Sequence, residues 1–192
     1  MPVLPFACSC GQVAGTVDVP SPRAGNHVTC FCPDCRASAI RLGKPDPVEG
    51  VEIWQTTPDR VKITQGHDKL AIQRLSPKGL MRWYATCCDT PMLNTLAKPR
   101  LAFAGILAAT LSDTAALGPL IGRAFMPGKG GKPYTHEGYN RIGGRIVKMM
   151  ALANLSGKWR ETPFFDASGT PTAPIHVLTR EERAAATPPP RS

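Results

Sequence analysis

Cys30-Phe31-Cys32-Pro33-Asp34-Cys35 places three cysteines within six residues, and on either side of it lie two further clusters, Cys8-Ser9-Cys10-Gly11 and Cys87-Cys88. Together they hold all seven cysteines of the 192-residue chain. A C-x-C or C-x-x-C pair at a tight turn aims two sulfurs at one point about 2.3 Å from a zinc ion, and a tetrahedral site takes two such pairs. Seven partitions into four and three. A closed four-cysteine site is structural, whereas a three-cysteine site leaves a fourth position for water or a substrate.

The residues around each cluster set the fold class. Residues 3–6 and 12–19 are strand-like runs on either side of the first pair, and Cys10-Gly11 suits a knuckle joining them as a hairpin. Asn26-His27-Val28-Thr29 leads as a short strand into the second cluster, where Pro33-Asp34 is turn chemistry that holds Cys32 and Cys35 on one side of a loop. Residues 51–56, 61–64 and 70–75 are rich in β-branched side chains and are separated by Pro58-Asp59 and Gly66. Arg82-Trp83-Tyr84-Ala85-Thr86 then delivers the third cluster as a strand. With 20 prolines and 18 glycines, the chain is expected to be mainly β, with short elements and many turns.

Beyond residue 100 the pattern changes. Residues 101–111 read as a buried strand or a short helix, their alanines leaving the period undecided. Ser112-Asp113 is an N-cap for a short helix over 114–125, and residues 141–159 carry a stripe of Ile142, Ile146, Met149, Met150 and Ala153 that predicts a second helix docked on the sheet. Thr179-Arg180-Glu181-Glu182 has capping-box spacing for a last one. The expected organisation is therefore a zinc-binding unit over 1–98 and a helical C-terminal extension over 99–192 packed on it, with a disordered tail from about 186. The glycine-rich loop over 127–133 lacks the register of a phosphate-binding loop and reads as a solvated connector.

Composition narrows the function. The start of the chain has neither a basic n-region nor an apolar h-region, and the longest apolar run, 101–109, is well short of the roughly 20 residues that cross a bilayer. A reduced, cytoplasmic setting follows as the expectation, with no membrane association, and in it the cysteines bind metal rather than form disulfides. The formal charge of +9 admits an anionic partner. The lysines and arginines form no basic stripe with interleaved aromatics, however, so nucleic-acid binding is the weaker reading.

Cys8-Ser9-Cys10-Gly11, Cys30-Phe31-Cys32-x-x-Cys35-Arg36 and Arg82-Trp83-Tyr84-x-x-Cys87 resemble, in order and spacing, the glutathione-dependent formaldehyde-activating enzyme family, which includes centromere protein V. The resemblance covers residues 3–96. It implies a β-tent, antiparallel strands bent over a structural zinc held by the first and last cysteine pairs, with a second, catalytic zinc on the middle motif. Carried onto this chain, Cys8, Cys10 and Cys87 belong to the first site and Cys30, Cys32 and Cys35 to the second. The chain departs from the family's F-C-x-x-C-G ending: Tyr84 stands where the first of those cysteines belongs, and Cys88 where the glycine belongs. Adjacent residues on a strand point to opposite faces, so chelation by both Cys87 and Cys88 needs a bend. Cys88 is then the fourth ligand, or it is a merely buried thiol beside a three-cysteine site completed by water or a site with no metal at all.

The implied activity is a carbon-sulfur lyase like S-(hydroxymethyl)glutathione synthase, in which glutathione or another thiol adds to formaldehyde or a related small aldehyde. Cys30, Cys32 and Cys35 would carry it. Three thiolates leave Zn²⁺ with a net negative charge, which weakens it as a Lewis acid and suits it to binding thiols. Arg36, beside the trio, is the candidate to hold a substrate carboxylate, while Arg41 and Lys44 read as surface charge. His27 could complete the open site, although on an alternating strand it reads more readily as a core or edge residue. The alternative class is a non-catalytic zinc-binding module for an anionic or protein partner. A third is thiol exchange by an unmetallated trio. Residues 100–192 would serve as a lid over the open site or as a homodimer contact.

Overall fold

A computed structural model of the protein describes residues 3–128 and 133–189. Two open sheets dominate it. The smaller has three antiparallel strands in the order β1 (Val3–Ala7), β2 (Ala14–Asp18), β5 (Val61–Gln65). Strict alternation along β1 and β2 turns Leu4, Phe6, Gly15 and Val17 inward, the period-two signature of a sheet covered on one face.

The larger sheet has nine strands. Its centre is built from β3 (Asn26–Cys30), β4 (Val51–Thr56), β9 (Ala104–Leu107), β8 (Thr90–Thr95), β7 (Met81–Ala85) and β6 (Leu70–Arg74), in that spatial order and antiparallel throughout. Each flank is extended by a parallel pairing. The hairpin of β10 (Gly122–Pro127) and β11 (Tyr134–Glu137) adds β10 to β3, and β12 (Ile175–Val177) adds to β6. Leu4, Phe6, Val17 and Val61 of the small sheet share one core with Trp54, Ile72, Trp83, Leu93 and Ile106 of the large one.

The strands expected before residue 90 form within a residue or two of their expected bounds, and three corrections concern the later chain. Residues 114–125 are not a helix. Gly118 takes φ +73° and Pro119 follows, so the helical start stops after one 3-10 turn, Ala115–Leu117, and the chain enters β10, which satisfies the edge of β3. The expected division near residue 98 falls between β8 and β9, neighbours in one sheet, so the later chain contributes four strands to that sheet as well as α2 (Tyr139–Leu155) and α3 (Arg180–Ala185). Its Phe164 is fully buried, with its ring centroid 5.0 Å from that of Trp83. The tail expected to be disordered from about 186 instead buries Ala186 against Ala37, Leu75 and Leu178.

The ambiguous run over 101–111 resolves as β9 plus a 3-10 turn, Ala108–Thr110. The helix expected over 141–159 forms as α2 and stops at Leu155, because Gly157 takes φ +77° and opens a separate 3-10 turn; it buries Ile142 and Ala153, with Ile146, Met149 and Met150 half-buried beside them. The capping box is present at Thr179. Most of the loop expected over 127–133, and the last three residues of the chain, lie outside the described residues. Among the described residues, no helix is long and apolar enough to cross a membrane.

Candidate metal centre

The first cysteine pair sits in the turn between β1 and β2. Gly11, at φ +75°, donates its N–H to the Cys8 carbonyl (3.0 Å), and the Val13 N–H points at Cys8 Sγ (3.3 Å), so the backbone curls around that sulfur. This donor favours the thiolate form. Cys87 and Cys88 lie in the tight turn from β7 to β8, where Asp89 takes φ +50°. Because the chain is turning rather than extended there, adjacent side chains need not oppose each other, and both sulfurs reach the same point as Cys8 and Cys10. All four lie within 4.8 Å of one another.

Individual separations are 3.6 Å for Cys8–Cys10, 3.8 Å for Cys8–Cys87, 3.3 Å for Cys10–Cys87 and 3.8 Å for Cys87–Cys88. Four sulfurs about 2.3 Å from a tetrahedral zinc would stand roughly 3.8 Å apart, so the cluster is of the right size. Thr90 braces it, its Oγ1 accepting from the Ser9 N–H (3.1 Å) and lying 3.1 Å from Cys88 Sγ. Burial pushes the Cys87 thiol up to about 12. Burial acts on Cys88 in the same sense, but hydrogen bonding from Ser9 and Thr90 brings it down to about 5. Cys88 therefore stands with Cys8, Cys10 and Cys87 as a four-sulfur group that could hold a metal ion.

The second group is carried by β3 and by a helix that the turn reading missed, α1 (Pro33–Arg41). Cys30 ends β3, Cys32 is the helix N-cap and accepts from the Cys35 N–H (3.3 Å), and Cys35 lies in the first turn. Pro33 at the first helical position and Asp34 after it are helix-start signals as much as turn signals, and they could have identified α1. The three sulfurs lie within 4.8 Å of one another, again a size that could hold a metal ion. Cys35 is buried, while Cys30 and Cys32 are half-buried and pack beside Val28, Ile53 and Ile142. Hydrogen bonds from Cys30 and Cys32, reinforced by the charge of Arg82, hold the Cys35 thiol well below the usual range. Hydrogen bonding with Cys32, then with Cys35, together with burial, pushes Cys30 up.

Arg82 is the arginine at this group. Its Nη1 stands 3.9 Å from Cys35 Sγ and 3.5 Å from Asn94 Oδ1. Arg36, expected to hold a substrate carboxylate, is 4% exposed, and its guanidinium is bonded in fork geometry to Asp46, with Nε 2.7 Å from Oδ1. That pairing ties Arg36 of α1 to the loop that follows the helix. Arg41 pairs with Glu182 (3.0 Å), and Lys44 Nζ donates to the Cys88 carbonyl (2.9 Å), tying the end of α1 to the other cysteine group.

His27 does not turn to the trio. One ring nitrogen bonds the Gly118 carbonyl (2.7 Å) and the other Glu52. Among the described residues, no histidine or carboxylate joins Cys30, Cys32 and Cys35 as a fourth donor. Behind the trio, Cys35, Ser38, Arg82, Trp83 and Asn94 line a small cavity of about 30 Å³, room for one or two molecules the size of water. Arg82 stands in the third motif only as part of the strand leading to Cys87, and Asn94 in none; strand register pairs the two and brings Arg82 to Cys35.

A family model described as a family of unknown function, DUF6151, matches residues 1–176. No curated protein matches the chain. Among solved structures, a crystal structure of a Rhodobacter sphaeroides protein is similar at 18% identity over 62% of this chain and 98% of its own, with a TM-score of 0.45.

Proposed function

The chain belongs to DUF6151, a family of unknown function, and from its two thiol centres we propose that it is a zinc-dependent carbon-sulfur lyase adding a thiol such as glutathione to formaldehyde or a related small aldehyde. The observation that carries this reading is the incomplete donor set of Cys30, Cys32 and Cys35, three sulfurs within 4.8 Å of one another, two of them half-buried rather than enclosed, with no fourth histidine, cysteine or carboxylate donor among the described residues. The four-sulfur group has its full donor set, and we assign it a structural zinc and the fold around it a β-tent. The three-sulfur group is assigned a second zinc, which when bound would keep an incoming thiol ionised near neutral pH.

The chain's own residues supply the rest. Arg82 offsets the negative charge of the thiolates, and Asn94 helps fix its position. The cavity beside Cys35 is of a size for a two-heavy-atom aldehyde and excludes a tripeptide, so of the thiol only its sulfur would reach the aldehyde there. Addition forms the carbon-sulfur bond as the carbonyl π pair moves onto oxygen. The proton that left the thiol returns from solvent to that oxygen, and the reverse sequence releases the aldehyde.

Elemental analysis of the untagged protein tests the assignment, with two zincs per chain expected and one after joint replacement of Cys30, Cys32 and Cys35 by serine. Magnetisation-exchange NMR with ¹³C-formaldehyde and glutathione should then show exchange accelerated by the native chain and not by the variant. A single zinc that survives the triple replacement would overturn the lyase reading. The second reading, a non-catalytic zinc-binding module for an anionic partner, is favoured in that case by the cationic groove described next.

A further inference from the structure

Helix α2 presents Arg141, Arg145 and Lys148 at spacings of four and three, along one flank. Facing them are Arg23, from the connection between β2 and β3, and Arg60, from the turn before β5. Between the two walls runs an open groove of about 440 Å³ whose remaining lining is Ala24, Met149 and Leu152. The groove is built rather than incidental, since Arg145 Nη2 donates to the carbonyls of Arg23 (2.7 Å) and Gly25 (2.8 Å), fixing the helix against the opposite wall.

Among the described residues, no carboxylate lines this groove. Asp59 borders the adjoining one, of about 300 Å³, beside Arg60 and Lys158. Four arginines elsewhere are matched to acids, in Arg36–Asp46, Arg41–Glu182, Arg123–Glu137 and Arg183–Asp34, whereas among the described residues none of the five groove cations is in an ion pair. Partial burial and repulsion from Arg141 and Arg23 lower the proton affinity of Arg145. Like charges gathered without acids raise the energy of the free protein, and an anion bound among them relieves it.

We propose that this groove binds a ligand bearing at least two phosphate charges, its phosphates held by Arg23, Arg60, Arg141 and Lys148 and its organic part resting on Met149 and Leu152. The volume falls within the range of small-molecule sites and exceeds what a single phosphate fills. Guanidinium forks match phosphate oxygens two at a time, and four of the five cations are arginines. No cysteine contributes to the groove, so the proposal stands apart from the lyase reading.

Calorimetry on the zinc-loaded full chain at physiological ionic strength tests it, with pyrophosphate and inorganic phosphate as probes. Pyrophosphate should bind at least about tenfold more tightly than phosphate, and the variant R23Q/R141Q/K148Q should weaken it by at least about tenfold. A second variant, K62Q/K78Q/R180Q, removes the same charge elsewhere and should bind as the native chain does. Because the groove variant relieves repulsion, its own Tm should not fall. Sedimentation with vesicles containing phosphatidylinositol bisphosphate separates the sources. Groove-dependent vesicle binding identifies a lipid headgroup, and pyrophosphate binding without it a soluble phosphate ester. Absence of binding in both assays, or equal loss in both variants, would overturn the proposal.

Discussion

Cys88 shows how much a single tight turn can decide. On an extended strand it would face away from Cys87, and only the turn over residues 86–89 brings its sulfur to the other three. The group's proposed metal depends on that fourth sulfur. Replacement of Cys88 by serine should therefore speed the loss of one zinc to a chelator by at least about tenfold while leaving the other in place. An unchanged rate, followed with a chromogenic chelator, would return Cys88 to the status of a buried thiol. Arg82 and Arg36 illustrate the same dependence: both are buried arginines close to the trio, but the fork of Arg36 is matched by Asp46, and it is Arg82 that approaches Cys35.

At the scale of elements, α1 and α3 hold each other in place. Arg183 pairs with Asp34 (2.6 Å) in the first turn of α1, and Glu182 pairs with Arg41 in its last. The α3 N-terminus is closed by the Thr179 capping box, which docks the helix beside the element carrying Cys32 and Cys35. Thr179→Ala should cost about 1 kcal/mol of local stability, read as faster amide exchange in α3 with the central strands unchanged. Hydrogen bonding from the Thr179 backbone, then from His176 and Arg41, holds the Glu182 carboxyl down at about 2. A depressed carboxyl stabilises the fold above its ordinary range near 4.5 and loses that contribution as the pH falls toward 2. At pH 4, where an ordinary glutamate is mostly protonated, the Glu182 ¹³C carboxyl resonance should still be that of the ionised form.

Across the whole molecule, the later chain is integral to the sheet rather than attached to it. Phe164 covers Trp83, β9 pairs with both β4 and β8, and β12 closes the β6 edge. Phe164→Ala should destabilise the protein by about 3–5 kcal/mol in denaturant unfolding. A chain ended at residue 98 should fail to fold, because β4 and β8 lose the strand between them and Trp83 loses its cover. A soluble, cooperatively unfolding fragment would contradict this interleaved arrangement.

The sequence by itself determined what local chemistry can encode. Cysteine spacing marked two groups of sulfurs, β-branched runs between turn residues marked β3 to β7, and the apolar stripe and capping box marked α2 and α3. Even the missed α1 was announced by Pro33 after an N-cap residue. Tertiary structure decided the rest, because it depends on partners far apart in the chain. The segment over 114–125 has helical spacing, yet the open edge of β3 and the conformation at Gly118 made its later half a strand. Arg82 comes to Cys35 across 47 residues, and Arg23 comes to face α2 through a hydrogen bond spanning 122. Periodicity records which face of an element is buried. It does not record which distant residue will stand opposite, and that is what built the thiol trio's surroundings and the cationic groove.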